Sequence, residues 1–361
     1  MAAMTTVAQS RPFVIGVDTH ARTHTLAVLR AATGEQLGCQ QFPATAAGMR
    51  RALDWTARRT GGDADTLWVI EGAGSYGAQL SGAVTDAGYE AVEAPRGYVR
   101  SRTTTGKSDS LDAAAIAAAA LPLDEDRLRI PRQDDGVRAS LRVLVAAREQ
   151  MTLERTAKVN ALTALVRTVD LGLDARRPLS GTQITETAGW RARAEDIATA
   201  TARTEAVRLA KRITALHTEL KQNQGRITEL LRASPAAPLL EETGIGPVTA
   251  AVAYTVWSHL GRVRSEAAFA ALAGVNPIPA SSGNTVRHRL NRGGDRRLNR
   301  ALHMAIITRM AHDRDTRAYA ERRTAEGKTP REIRRCLKRY LARHLYRTLN
   351  ALHQHSVAAA A

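Results

Sequence analysis

The first third of the chain places short apolar runs between polar connections. The runs are short and rich in β-branched residues, which predicts strands at 13–18, 25–29, 66–70 and 89–94. Helices are predicted at 46–59, at 76–87 and from Asp109 onward, where the chain becomes rich in alanine. This alternation favours a mixed α/β layer with helices on the faces of a sheet.

The middle of the chain, from 134 to 232, has the pattern of long helices, with a connection predicted at 172–189. In the second helix the core positions step by four and three, as in a heptad seam with one polar member. These positions are Leu209, Ile213, Leu216, Leu220, Asn223, Ile227 and Leu230. Two interpretations stay open: a helical hairpin within one chain, or a coiled-coil arm that joins subunits into a dimer or tetramer.

The last third begins after a linker at 234–238 and has two recognisable patterns. The segment 239–250 has the form of a helix-hairpin-helix turn, in which Gly244 and Gly246 allow a tight turn and helix N–H groups can donate to a phosphate. An ordinary glycine-capped helix pair is the alternative. The tail, 329–353, is an amphipathic helix with an apolar stripe and a basic one.

Charge is distributed unevenly, and this suggests a partner. The chain has 361 residues and a formal net charge of +17. Residues 1–125 hold 11 basic and 13 acidic residues, 126–235 hold 20 and 13, and 236–361 hold 21 and 9. These three segments are the predicted domains. An excess of basic residues in the last two favours a polyanion such as DNA or RNA.

The composition also excludes several classes. Two cysteines, Cys39 and Cys336, suggest neither a disulfide framework nor a cysteine metal site. The N-terminus lacks the apolar core of a signal peptide, and the longest apolar run is too short to span a bilayer. We therefore expect no membrane association and a cytoplasmic location.

Four acidic residues stand out by position. Asp18 ends the first predicted strand and Glu71 follows the third, while Asp109 and Asp112 lie one turn apart at the start of a helix. Each alone is compatible with capping a loop or a helix. Together in one cleft, four carboxylates would repel one another unless hard cations bind them, which favours magnesium or, as an alternative, manganese.

Basic and hydroxyl residues form the second candidate site. A pair of serines before a glycine, Ser281 and Ser282, precedes a segment rich in arginine; taken alone, paired serines before glycine indicate a turn. The candidate nucleic-acid contacts are Lys107, Gly244, Gly246, Arg287, Arg289, Arg292, Arg296, Arg297, Arg335, Arg339 and Arg343.

Three acidic segments and the serine segment resemble those of a known family. VIGVD at 14–18, IEGAG at 70–74 and KSDSLDA at 107–113 are similar to the acidic blocks of the DEDD insertion-sequence transposases, relatives of the Piv invertase. The segments 274–283 and 289–295 resemble that family's catalytic serine block.

The resemblance implies a fold, a site and partners. The fold would be a RuvC-like, RNase H-like domain of α/β class, followed by a helical coiled-coil region and a mainly helical C-terminal domain. Asp18, Glu71, Asp109 and Asp112 would hold magnesium, and Ser282 would be the nucleophile. The partners would be donor and target DNA and a structured non-coding bridge RNA.

Two other functions are compatible with the residues. A RuvC-type nuclease of branched DNA would need the four carboxylates but no serine intermediate. The other is a non-catalytic nucleic-acid scaffold with a degenerate metal site, which would neither hydrolyse nor rejoin DNA.

Overall fold

The computed structural model describes residues 5–95, 109–133, 136–281 and 288–358, with side chains up to His355. Lys107, Ser282 and Arg287 lie outside the described residues. Contacts divide the chain into two units, Met1–Gln133 with Gly261–Val263, and Asp134–Leu260 with Arg264–Ala361. The division into three domains stays a prediction.

The first unit is built on a five-stranded mixed sheet. Its strands are β1 Phe13–Thr19, β2 Thr23–Arg30, β3 Gln36–Pro43, β4 Leu67–Ile70 and β5 Glu90–Glu93, in the order β3-β2-β1-β4-β5. The first three strands pair antiparallel, and β4 and β5 run parallel to β1. This α/β arrangement is compatible with the RNase H-like fold that the sequence implied.

Strand β3 is missing from the elements predicted from the sequence. Its sequence, QLGCQQFP, is polar and contains glycine, and it lies at the edge of the sheet with most of its residues exposed or half-buried. An edge strand buries little apolar surface, so it carries little of the alternation from which strands are recognised.

Helices cover both faces of this sheet. They are α1 Val7–Ser10, α2 Ala46–Thr60, α3 Ala78–Asp86 and α4 Asp109–Ala120. Ile15 and Val17 of β1 point into a core that includes Trp55 of α2 and Leu80 of α3. Val14 points to the opposite face, where α4 packs. Because side chains alternate along a strand, Gly16 and Asp18 share the face of α4 with Val14.

The second unit is mainly helical. Its helices are α5 Gly136–Thr168, α6 Gly181–Ala188, α7 Ile197–Arg232, α8 Pro247–Trp257, α9 Glu266–Leu272, α10 Arg296–His312, α11 Arg314–Ala325 and α12 Pro330–Ala358. Two short strands, β6 Pro277–Pro279 and β7 His288–Leu290, pair antiparallel. Helix α6 lies inside the segment 172–189, which the sequence predicted as a connection only.

Helix α7 packs along α5 of the same chain, which is the hairpin alternative. Asn223 Nδ2 donates to the Leu144 carbonyl at 3.0 Å, and Arg148 Nη1 donates to the Leu220 carbonyl at 2.9 Å. Farther along, Arg212 of α7 pairs with Glu154 at 2.8 Å. The heptad seam is therefore covered within the chain. An oligomer, which stays a prediction, would have to use another surface while this pairing persists.

The amphipathic tail forms as the pattern predicts. Its apolar stripe is buried in α12: Ile333, Leu337, Leu341, Leu345 and Leu349. No helix among the described residues is both long and apolar enough to span a bilayer.

Candidate active site and basic cavity

The carboxyl ends of β1 and β4 bring two of the four acidic residues together. Asp18 is the penultimate residue of β1 and is only 6% exposed. Glu71 directly follows β4, and its N–H donates to the Val17 carbonyl at 3.0 Å. The Thr19 hydroxyl donates to the Glu71 carbonyl at 2.7 Å. Both acids therefore leave neighbouring parallel strands at the same edge of the sheet.

Helix α4 supplies the other two acidic residues, and Gly16 allows its close approach. A Cβ atom at Gly16 would lie 2.0 Å from the Ala113 carbonyl oxygen and 2.6 Å from the Ala117 nitrogen. Asp109 and Asp112 occupy the first turn of this helix. The missing side chain of Gly16 thus lets the first turn of α4 pack near Asp18.

The other three carboxylates lie near enough to Asp18 to affect its pKa. The pKa of Asp18 is raised, chiefly by burial, and the neighbouring charges of Glu71, Asp112 and Asp109 raise it further. His20 acts in the opposite direction. A buried acid among three others costs free energy when ionised, and a divalent cation would offset that cost. This set of hard oxygen donors fits magnesium or manganese.

His20 is a member of the cluster that the sequence analysis did not single out. Its Nε2 atom lies 3.2 Å from Asp18 Oδ2 and 3.8 Å from Asp109 Oδ1. One ligand atom from each of the three residues lies within 4.8 Å of the others. The sequence held a signal for His20, because it lies two residues after Asp18 at the strand end and residues two apart on a strand share a face.

The glycine turn before α8 is packed inside the second unit. Gly244 has φ of 81°, and a Cβ there would lie 2.8 Å from the Ala305 carbonyl oxygen of α10. This close approach explains Gly244 without a ligand, which favours the glycine-capped helix pair. Gly246 is the N-cap of α8 and is exposed. A nucleic-acid role for these glycines stays a prediction.

A basic cavity of about 870 Å³ opens in the second unit. It lies against β6, β7, α10 and α12. Five of the predicted nucleic-acid contacts line it: Arg289, Arg292, Arg296, Arg335 and Arg339. The structure therefore gathers into one place arginines that lie far apart in the sequence.

Two other predicted contacts have their charge paired within the chain. Arg297 bonds to Glu149 of α5 at 2.5 Å. Arg343 forms a salt bridge with Glu266, which also pairs with Arg347 at 2.8 Å. These pairs leave Arg297 and Arg343 with less net positive charge to offer a polyanion than the sequence analysis assumed. Their contact with nucleic acid stays a prediction.

The sheet order, with buried Asp18 and three more accessible carboxylates near it, is compatible with an RNase H-like α/β domain of the DEDD type. A family model of the DEDD transposases of IS110, described as "Transposase", matches residues 15–169. A second model, described as "Transposase IS116/IS110/IS902 family", matches residues 236–321. The chain belongs to the IS110 family of DEDD transposases.

Two curated relatives come from insertion elements. The first, "Insertion element IS110 uncharacterized 43.6 kDa protein" of Streptomyces coelicolor, is 34% identical over 123 residues. That match covers 34% of this chain and 30% of the relative. The second, "Insertion element IS900 uncharacterized 42 kDa protein" of Mycobacterium paratuberculosis, is 28% identical over 270 residues, or 62% of this chain and 66% of the relative.

Proposed function

We propose that this protein is an insertion-sequence transposase that cuts and rejoins DNA with the assistance of magnesium. The observation that carries this proposal is the buried Asp18 with three other carboxylates around it, in a chain of the DEDD transposase family. Manganese is the alternative ion, because the same oxygen donors accept it.

The sheet and the helix each supply two of the four metal ligands in this proposal. Asp18 and Glu71 would bind the metal from the ends of neighbouring strands. Asp109 and Asp112 would complete the set of oxygen donors from α4. Bound magnesium would stabilise the charge that develops on the phosphate oxygens. His20 would orient Asp18, whose Oδ2 atom lies 3.2 Å from its Nε2 atom, whereas Asp109 Oδ1 at 3.8 Å is too far for a hydrogen bond.

The nucleophile in this proposal is Ser282, as the resemblance implies. Its hydroxyl oxygen would form an ester bond to phosphorus while the bond from phosphorus to the sugar oxygen breaks. The serine proton leaves and the sugar oxygen gains one, so the step balances as a transesterification. The reverse reaction with another strand's hydroxyl would rejoin the DNA and release the serine.

The partners are also part of the proposal. Donor and target DNA would be the substrates, and a structured bridge RNA would pair with both, so that base pairing reads the sequence. Contacts from arginines to the backbone position a strand but carry no sequence information. A homo-oligomer would bring two active sites to the two DNA molecules.

Magnesium-dependent strand cleavage tests the metal site. In Asp18→Asn, Glu71→Gln, Asp109→Asn and Asp112→Asn, we expect cleavage to fall by more than roughly 100-fold, since loss of even outer partners of a metal typically costs 10- to 100-fold. The matched control is Asp86→Asn, because Asp86 is an exposed acid at the end of α3. This variant should cleave DNA at the rate of the wild type. Undiminished cleavage in all four variants would refute the metal site.

A second candidate function is hydrolysis by a RuvC-type nuclease. The observation that favours it is that all four carboxylates belong to the first unit, and hydrolysis would require no serine from the second. Hydrolysis leaves no covalent bond between protein and DNA, so a search for a covalent adduct separates the two functions.

A further inference from the structure

The basic cavity of the second unit is unusual in its balance of charge. Seven lysines and arginines and two histidines line it, and none of its lining residues among the described part of the chain is acidic. Its volume of about 870 Å³ lies in the range of sites for small ligands, about 300–1,000 Å³. On charge and size, the cavity suits an anionic group.

Some basic side chains elsewhere in the same unit are paired with acids. Glu266 forms salt bridges with Arg343 and Arg347, and Glu149 forms salt bridges with Arg297 and Arg300. By contrast, the described residues provide no salt bridge for Arg296, Arg335 or Arg339. Of the cavity's seven basic residues, Arg300 is the one that has such a pair. The cavity therefore brings together several positive charges that form no salt bridge with an acid among the described residues.

Lys338 on α12 is held inside the cavity. Its Nζ atom donates to Asn299 Oδ1 of α10 at 2.9 Å, which fixes the direction of the ammonium group. Burial lowers the pKa of Lys338, and the positive charges of Arg335 and Arg334 lower it further. Burial and the charges of Lys338 and Arg334 lower the pKa of His303 as well. The cations repel one another, and an anion between them would relieve that repulsion.

Arg339, one residue after Lys338, has a donor without an acceptor. Its Nε atom is buried and has no hydrogen-bond partner in the described part of the chain. A buried donor left without a partner costs free energy, and such groups are rare in folded proteins. Arginine presents its N–H groups in a planar fork that matches two phosphate oxygens. The missing acceptor and the missing negative charge could come from the same ligand.

We infer that this cavity binds one phosphate group, held by Arg335, Lys338 and Arg339 of α12 with His303 of α10 beside them. Val275, Pro277 and Leu290 provide an apolar part of the lining, suited to the carbons of a sugar. That the phosphate belongs to a nucleic-acid strand rests on the proposed function. Binding of the phosphate group itself does not.

Titration of the full chain with inorganic phosphate, by calorimetry in chloride buffer, tests this inference. We expect saturable binding that Lys338→Gln and Arg339→Gln weaken by roughly 10-fold or more, because each substitution removes a charge-assisted hydrogen bond to the anion. Arg335→Gln changes an exposed residue and so provides a variant that leaves the core untouched. It should weaken phosphate binding in the same direction.

The matched control is Lys221→Gln, which removes the same charge from an exposed position on α7, outside the cavity. Its affinity for phosphate should stay within about twofold of the wild type, since a single exposed charge is screened by salt. Equal weakening in this control would mean that total charge, and not a built site, attracts the anion. That result, or an absence of saturable binding, would overturn the inference.

Competition identifies the source of the phosphate. Single-stranded DNA and RNA oligonucleotides of one sequence are added to the phosphate-bound protein, and displacement by either supports a strand phosphate in the cavity. Failure of both to displace phosphate would overturn that assignment. The same titration on Asp18→Asn separates this inference from the proposed function. Lost cleavage with retained phosphate binding would support both claims. Retained cleavage with retained phosphate binding would refute the metal site and leave this inference intact. Lost cleavage without saturable phosphate binding would overturn this inference and leave the metal site intact.

Discussion

Replacing Gly16 with alanine tests how the acidic cluster is assembled. The new Cβ would lie 2.0 Å from the Ala113 carbonyl oxygen, 2.6 Å from the Ala117 nitrogen and 2.9 Å from the Ala117 Cβ. Two of these three atoms belong to backbone, which cannot rotate away as a long side chain can. The substitution therefore has to move α4 away from β1.

The size of this movement follows from the contact distances. An ordinary contact of a Cβ atom begins at 3.4 Å, so the 2.0 Å approach must open by about 1.4 Å (3.4 minus 2.0). Overpacking of a core costs about 1–3 kcal/mol. Because α4 carries Asp109 and Asp112, the same movement displaces half of the donor set, and a misplacement of about 1 Å can cost roughly 100-fold in rate.

Two measurements follow this effect in Gly16→Ala: the free energy of unfolding of the metal-free chain, and magnesium-dependent DNA cleavage. We expect a loss of about 1–3 kcal/mol and a fall in cleavage of roughly 100-fold. Gly82→Ala on α3 is the control, because nothing lies within 4 Å of its added Cβ. It should be as stable as the wild type or more so. If Gly16→Ala matched the wild type in both measurements, the proposed role of the close approach would be wrong.

Four further predictions follow from the structure. Asp18→Asn should raise the unfolding temperature of the metal-free protein, because burial and like charges raise the pKa of Asp18 and disfavour its ionised form. Magnesium should raise the unfolding temperature of the wild type but not that of this variant. Asn223→Ala should lower the free energy of unfolding by about 0.5–1.5 kcal/mol in urea titrations, since the buried hydrogen bond from Asn223 Nδ2 to the Leu144 carbonyl is lost. His24 is buried and its pKa is lowered, so the folded state favours its neutral form. The free energy of unfolding should therefore fall as the pH drops below about 6.5, the pKa of histidine in an unfolded chain, and His24→Gln should reduce this pH dependence. DNA affinity should fall steeply with salt, and Arg292→Gln should reduce the log–log slope by about 0.9 if Arg292 contacts a phosphate; an unchanged slope would remove Arg292 from the interface.

The sequence predicted the parts of the site that depend on local pattern. Asp18 and Glu71 were recognisable because each ends an apolar run, and runs of that length predict strands. Asp109 and Asp112 were recognisable by their spacing at a helix start. That the helix approaches β1 at Gly16 could not be predicted, because it depends on which face of the sheet the helix covers.

Other features were missed for physical reasons. His20 was missed although it lies two residues after Asp18, because its nearness to Asp109, far away in sequence, arises only after folding. Strand β3 buries too little to show alternation. The heptad seam of α7 was identified, but a seam has the same periodicity whether its partner is α5 or another subunit. The basic cavity combines residues of α10 and α12 that only tertiary packing brings together.

The most direct test of the account is a search for a covalent adduct between protein and DNA. A suicide DNA substrate is incubated with the protein and magnesium and then run on a denaturing gel. We expect an adduct with the wild type and with Ser281→Ala, and none with Ser282→Ala. An adduct that survives in Ser282→Ala would contradict the assignment of the nucleophile, and cleavage by the wild type without any adduct would show hydrolysis instead of transesterification.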